Sequence, residues 1–201
     1  MIKPFTVSVP DSTLEEIYNK IKNYPWKEIT NLDGWEYGSN LNYMKEFSKY
    51  WISNFDWKKQ ESEINKFSNF VTNVDDIDIH FIKEKGSGSN PMPLLILHGW
   101  PGSIVEFFYI IEKLAHPERF GGKEEDAFDV IVPSLPGFGF SGCPSHPIGP
   151  RKMAEIFNKL MTKNLGYKNY LSQGGDWGAT ISNWLGYDHS KFCSSTKGLY
   201  L

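Results

Sequence analysis

Gln173-Gly174-Gly175-Asp176-Trp177-Gly178-Ala179 sets an aspartate between glycines, in the form Gly-x-nucleophile-x-Gly. Glycines at this spacing permit a tight strand-to-helix turn, because side chains there would strike neighbouring backbone. The apex residue is then exposed at the carboxyl end of a strand, with a helix N-terminus beneath it. A serine at such an apex performs acyl transfer. An aspartate instead attacks an electrophilic carbon, as in an epoxide or alkyl halide, and leaves an alkyl-enzyme ester. Tyr170-Leu171-Ser172 reads as the strand before the turn. Trp177 to Gly186 reads as the helix after it, with Ile181, Trp184 and Leu185 inward. The plainer reading is a Gly-rich turn in which Asp176 only caps a helix.

A second stretch supports chemistry over capping. Leu94-Leu95-Ile96-Leu97 is apolar throughout, as a buried parallel strand requires. The turn His98-Gly99-Trp100-Pro101-Gly102 follows, and a helix opens at Ser103, which makes a capping box with Glu106. Phe107, Phe108, Ile110, Ile111 and Leu114 give that helix an apolar face. A third stretch lies between the first two. Asp129 to Pro133 reads as a strand, followed by Gly137-Phe138-Gly139-Phe140-Ser141-Gly142. The glycine spacing fits a dinucleotide fingerprint, which needs a helix opening at its third glycine. Cys143-Pro144-Ser145-His146-Pro147 cannot open one. The segment reads as a loop rimming an active site.

The three stretches, in this order, resemble the microsomal and juvenile-hormone type of epoxide hydrolase in the α/β-hydrolase superfamily. The matching residues are His98-Gly99-Trp100-Pro101-Gly102, Pro133-Ser134-Leu135-Pro136-Gly137-Phe138-Gly139-Phe140-Ser141 and Gly174-Gly175-Asp176-Trp177-Gly178. Ile2-Lys3-Pro4-Phe5, Phe55-Asp56-Trp57 and Ile77-Asp78-Ile79-His80-Phe81 are similar too, so the likeness runs from about residue 2 to residue 201.

The resemblance implies Asp176 as nucleophile and the backbone N–H groups of Trp100 and Trp177 as the oxyanion hole. His98, Gly99, Pro101, Gly174, Gly175 and Gly178 shape the supporting turns. His98 is read as structural, because the base of this fold follows the nucleophile in the chain. The family pattern then continues with two lid tyrosines that protonate the epoxide oxygen, an acidic residue and a late histidine. Neither the base nor the lid tyrosines are found in this chain, which reads as truncated before the lid and the last strands. Only His189 follows Asp176, and it reads as a solvated loop residue. The implied reaction opens epoxides to vicinal diols, a route of epoxide metabolism and detoxification. A haloalkane dehalogenase with the same Asp-Trp pair is one alternative. An inactive truncated homologue that binds an apolar ligand or a partner chain is another. A serine esterase is disfavoured, since no G-x-S-x-G occurs.

The elements that must position these residues follow from patterning. Residues 1–68 read as a helical arm, and 69–201 as the N-terminal part of an α/β-hydrolase domain. In the arm, Ser12 and Glu15 suggest a capping box for a helix bearing Leu14, Ile17, Tyr18 and Ile21. Met44, Phe47 and Trp51 mark a second helix, and Asp56 caps a third containing Ile64 and Phe67. Strands are expected at about 70–74, 77–83, 93–97, 129–132, 170–172 and 198–201, and helices near 103–115, 150–165 and 177–187. This alternation predicts an α/β fold with a mostly parallel sheet and flanking helices. Glu84 to Pro91 reads as a flexible hairpin loop. Lys83 and Lys85 do not follow phosphate-loop spacing.

The 201 residues suffice for one core. Apolar and charged fractions of 40% and 22% are ordinary for a globular protein, and a net charge of −3 gives no basic surface for nucleic acid. Cys143 and Cys193 make no disulfide framework and suit a reducing compartment. The five histidines lack metal-ligand spacing, so neither metal nor cofactor is expected. A small apolar epoxide is the expected partner, with self-association through a C-terminal edge strand. Lys3, Pro4, Pro10 and Asp11 interrupt any N-terminal apolar run, so a soluble, cytoplasmic chain is expected. Relatives of the microsomal type often carry an anchor to the endoplasmic reticulum membrane.

Overall fold

A computed structural model describes residues 1–26 and 34–199. The chain divides into two units, Val7–Ile64 and the pair of segments Met1–Thr6 with Asn65–Leu201. The helical unit ends four residues before the expected boundary.

The Val7–Ile64 unit holds helices α1 (Asp11–Lys22), α2 (Leu41–Asn54) and α3 (Trp57–Ile64). Asn40 caps α2 by accepting the Tyr43 N–H at 3.0 Å. Asp56 does the same for α3, accepting the Lys59 N–H at 3.1 Å. The expected box of Ser12 with Glu15 does not form. The helix starts at Asp11, and the carbonyl of Pro10 accepts from Leu14, so Ser12 already lies inside the first turn. Phe67 falls beyond the end of α3. On α2 the rings of Tyr43, Phe47, Trp51 and the following Phe55 repeat every fourth residue, with centroids 6.3–6.4 Å apart along one face. The Glu61 carboxylate accepts from the Val9 N–H and from the Trp57 indole, tying α3 to the segment ahead of α1.

The second unit is built on seven strands. They are β1 (Lys3–Pro4), β2 (Asn69–Val74), β3 (Ile77–Glu84), β4 (Met92–Leu97), β5 (Phe128–Pro133), β6 (Tyr170–Gly175) and β7 (Cys193–Leu199), in the order β1-β2-β3-β5-β4-β6-β7. β5, β4, β6 and β7 are mutually parallel, while β1, β2 and β3 join antiparallel on one side. β1 was not expected; it is too short to carry a pattern and exists through pairing of Lys3 with Val71 and Pro4 with Phe70.

β4 and β5 are apolar at consecutive positions because both faces are covered. Leu95, Leu97 and Ile131 join one cluster with Met153, Ile156 and Phe157 of α5 (Pro150–Lys159), and with Ile181 and Leu185 of α6 (Trp177–Asp188). The intervening Ile96, Val130 and Val132 point to the opposite face, as strand alternation demands. Ile111 and Ala115 are buried on α4 (Phe108–Ala115), which packs against β5. Ahead of α4, Ile104–Phe107 is a single 3₁₀ turn carrying the Ser103–Glu106 capping box. α5 ends in a π-helical turn, Leu160–Asn164.

Two expectations need correction. Glu84 to Pro91 is not a hairpin: β5 lies between β3 and β4, so the segment crosses over an intervening strand. It is also tied down, with Gly86 N–H donating to Asp129, Gly88 N–H to Glu124 and Ser87 N–H to the Ala115 carbonyl. The last strand begins at Cys193, earlier than expected. Its polar run Ser194-Ser195-Thr196-Lys197 carries no strand pattern; backbone pairing with β6 imposes the conformation. Residues 200 and 201, part of the expected strand, lie outside the described residues.

Candidate active site

β6 ends at Gly175, α6 begins at Trp177, and Asp176 alone makes the turn between them, at φ 50° and ψ −120°. A side-chain-bearing residue at positive φ is strained, and such strain persists only where the surroundings hold it. Here the surroundings are backbone. A Cβ on Gly174 would land on the backbone of Gly178, and one on Gly178 would land on the Leu97 carbonyl. Strand β6, helix α6 and the end of β4 therefore touch without intervening side chains. A Cβ on Gly99 would fall on the Asp176 carboxyl group.

These contacts bring the end of β4 to the apex of the elbow. The Trp100 N–H donates to Asp176 Oδ1 at 2.7 Å, across 76 positions of sequence. That amide, and secondarily the Trp177 N–H, hold the Asp176 carboxyl below its ordinary range against the opposing effect of burial. Asp176 is therefore a carboxylate at neutral pH. It is exposed, as are the indoles of Trp100 and Trp177 beside it, at 66% and 39%.

His98 is buried and both ring nitrogens are taken by backbone. Nε2 faces the Leu135 N–H at 3.1 Å, and Nδ1 faces the Gly99 carbonyl at 3.0 Å. An N–H can only donate and a carbonyl only accept, so the proton is assigned to Nδ1. Burial holds this imidazole below its ordinary pKa. His189 ends α6, the helix that Asp176 begins. Twelve residues of helix separate them, a rise of about 18 Å. The Gly137–Ser141 loop has Gly137 at φ 83° and Gly139 at φ 52°, and sets the Phe138 ring edge-on to His98. No helix opens at Gly142; α5 starts at Pro150. Among the described residues no cluster of His, Cys, Asp and Glu could hold a metal ion.

Sequence reasoning missed His80. It is fully buried in β3. Nε2 faces Asn69 Oδ1 at 3.1 Å and Nδ1 faces Ser134 Oγ at 3.0 Å, with the Phe5 and Phe140 rings edge-on. The Asn69 amide donates to the Phe67 carbonyl, so Oδ1 accepts from His80 Nε2 and Ser134 donates to Nδ1. No local signal could have revealed this, since the partners lie 11 and 54 positions away. Burial pushes the His80 pKa down from 6.5 to about 4. The unfolded chain therefore binds a proton that the folded chain refuses between these values. Stability should be intact above pH 6.5 and fall as pH drops towards 4, by about 3 kcal/mol from this residue. Urea unfolding of the chain and of His80→Gln across that window tests this. A slope equally steep in both would assign the loss elsewhere.

A strand–turn–helix elbow with an aspartate at its apex, on a sheet with this strand order, defines a protein of the α/β-hydrolase fold. The alpha/beta hydrolase fold family matches residues 92–196, and the family of the epoxide hydrolase N terminus matches residues 2–107. The chain belongs to the epoxide hydrolase family. It is 40% identical to epoxide hydrolase 1 of Sus scrofa over 185 residues, covering 90% of this chain and 40% of that protein. It is 38% identical to a putative epoxide hydrolase of Stigmatella aurantiaca over 187 residues, covering 92% of this chain and 42% of the relative. The juvenile hormone epoxide hydrolase of the silkworm Bombyx mori superposes with a TM-score of 0.84 at 30% identity, covering 98% of this chain and 47% of that one. The chain thus spans about two fifths of the length of the curated relatives it matches. No helix among the described residues is long and apolar enough to cross a membrane.

Proposed function

We propose that the chain carries the nucleophilic half of an epoxide hydrolase, with Asp176 as catalytic residue. The observation that carries this is the Asp176 carboxylate on a strained apex, with Oδ1 held by the Trp100 N–H at 2.7 Å. On this reading Oδ2 is the attacking atom. Oδ2 bonds to an epoxide carbon in line with the departing C–O bond, and the released alkoxide takes a proton from water, or from the tyrosines that the family pattern supplies. Oδ1 becomes the carbonyl oxygen of the ester. It then lies where the oxyanion of ester hydrolysis forms, against the Trp100 and Trp177 amides; a donor of this kind contributes about 10²–10³ in rate. The exposed indoles suit an apolar epoxide. The relatives named above are epoxide hydrolases, which favours this reading over a dehalogenase. Protonating tyrosines and the acid–histidine pair belong to the family pattern beyond the elbow, and the complete reaction is proposed through that likeness. Within it, the helical arm of residues 1–68 serves as the start of the family's N-terminal region, whose match runs over residues 2–107.

Incubation with an aryl epoxide should add one epoxide mass to the chain, and peptide mapping should find it on Asp176. Labelling confined to Cys143 or Cys193 would be plain thiol alkylation and would overturn the reading.

For the setting, the reading is a soluble chain in a reducing cytoplasm. Its support is two free thiols, Cys143 exposed and Cys193 buried. Self-association is proposed through β7, which pairs on one side with β6 and ends the strand order. Among the described residues the outer edge of β7 has no strand partner and carries a single charge, Lys197, a weak guard against pairing with a second copy. Sedimentation velocity should show dimers or larger species at micromolar concentration. A monodisperse monomer would sink this part of the proposal.

A further inference from the structure

Five hydrogen bonds run head to tail through the second unit and end on the nucleophile. The His80 backbone N–H donates to Ser141 Oγ at 3.0 Å, and that hydroxyl donates to the Ser134 carbonyl at 2.8 Å. The Ser134 carbonyl and the Leu135 N–H are two ends of one planar peptide. The Leu135 N–H donates to His98 Nε2 at 3.1 Å, and His98 Nδ1–H donates to the Gly99 carbonyl at 3.0 Å. That carbonyl and the Trp100 N–H are again ends of one peptide, and the Trp100 N–H donates to Asp176 Oδ1 at 2.7 Å. Every link donates in the same sense, towards the carboxylate. A bond made to a peptide carbonyl, or to one ring nitrogen of an imidazole, polarises the N–H at its other end and makes it a better donor. Holding the Gly99 carbonyl at His98 also prevents that peptide from turning its N–H away from Asp176.

On the reading that Asp176 is the nucleophile, we propose that Ser141 and His98 are positioning residues, forming a polarised relay that aims and strengthens the Trp100 N–H. Neither side chain hydrogen-bonds to the nucleophile. Ser141 Oγ acts from the far side of the Ser134–Leu135 peptide, and His98 through the Gly99–Trp100 peptide. The relay joins the two glycine-rich loops, so the 137–142 segment contributes to the site without supplying a reacting group. It also dictates a tautomer: His98 must carry its proton on Nδ1.

Ser141→Val and Ser141→Thr make the test, because they match in shape and differ in the hydroxyl. The Trp100 amide proton, shifted downfield by its bond to a carboxylate, should move upfield in Ser141→Val and stay in place in Ser141→Thr. Alkylation of Asp176 should slow two- to fivefold in Ser141→Val, roughly the share lost when one link of a charge-assisted chain goes. Loss of orientation outweighs the slightly greater basicity of a loosened carboxylate. Ser141→Thr should restore the rate. Should Ser141→Val fail to fold, the unmutated chain still decides. Histidine ¹⁵N spectra, in solution or by magic-angle spinning, should show His98 protonated on Nδ1 alone. An Nε2–H tautomer, or an unmoved Trp100 amide in a folded Ser141→Val, would overturn the relay. Absence of any adduct on Asp176 in the unmutated chain would instead count against the proposed function, while the tautomer and the amide shift would still judge the relay.

Discussion

Asp176→Asn is expected to abolish the epoxide adduct, a loss of more than about 10³-fold in the rate of alkylation, the scale on which removing a nucleophile acts. The substitution is close to isosteric. Asparagine tolerates positive φ better than most residues, so the elbow at φ 50° should survive. Its side-chain oxygen can still accept from the Trp100 N–H, but an amide oxygen is neutral and a poor nucleophile. Folding and chemistry are thereby separated: the melting curve should change little while the adduct disappears. In the unsubstituted chain the adduct should outlast its formation. Hydrolysis of the ester needs a base against water. His98 has both ring nitrogens committed to backbone, and His189 sits at the far end of α6. One equivalent of epoxide should be consumed, followed by slow release of diol. Sustained turnover by the 201 residues would show that another group supplies the base.

The second large effect is steric. Gly178→Ala places a methyl group on the Leu97 carbonyl, with the His98 carbonyl 2.9 Å away and the Leu97 carbonyl carbon at 2.7 Å. The obstacle is the backbone of the central strand, not the end of a flexible side chain. It cannot swing aside. Strand β4 or helix α6 must shift, and either movement pulls the Trp100 N–H off Asp176. The loss of stability should exceed about 3 kcal/mol, the upper end of ordinary overpacking. Adduct formation should fall with it even in conditions where the chain remains folded. Chemical denaturation and alkylation rates check both parts. A stability change under about 1 kcal/mol would mean that the two backbones leave room for a methyl group.

The elbow was legible in the sequence because its constraint is local. Gly174 and Gly178 lie four positions apart and are glycines for a reason that any reader of sterics can infer. The same holds for the Ser103–Glu106 box and the apolar run of β4, which report on their own neighbourhoods. What was illegible depends on distant partners. Asp56 capped its helix as read, but Ser12 did not, because the carbonyl of Pro10 starts the helix earlier. β7 has a polar sequence and is a strand by courtesy of β6. The hairpin expected at Glu84 to Pro91 failed because nothing in that segment announces that β5, reached much later, will lie between its flanking strands. His80 and Ser141 looked like incidental residues; their meaning lies in partners 54 and 61 positions away. Local signals located the elbow and the aspartate at its apex, whereas the contacts that support it had to be seen in three dimensions.

The strand order has a consequence for the newly made chain. β3 and β4 are synthesised in succession, yet each takes its place beside β5, and β4 must also wait for β6. A nascent polypeptide that ends before residue 128 holds β3 and β4 with the space between them vacant. Loop-closure entropy has to be overcome before those distant contacts begin to stabilise anything. Assembly of the sheet centre is therefore deferred until Tyr170–Gly175 has left the ribosome, and the exposed edges of β3 and β4 need shielding in the interval. Asp176 immediately follows that strand. The elbow cannot form before β6 is made, and the core closes only when Ile181, Leu185 and Cys193 have followed it.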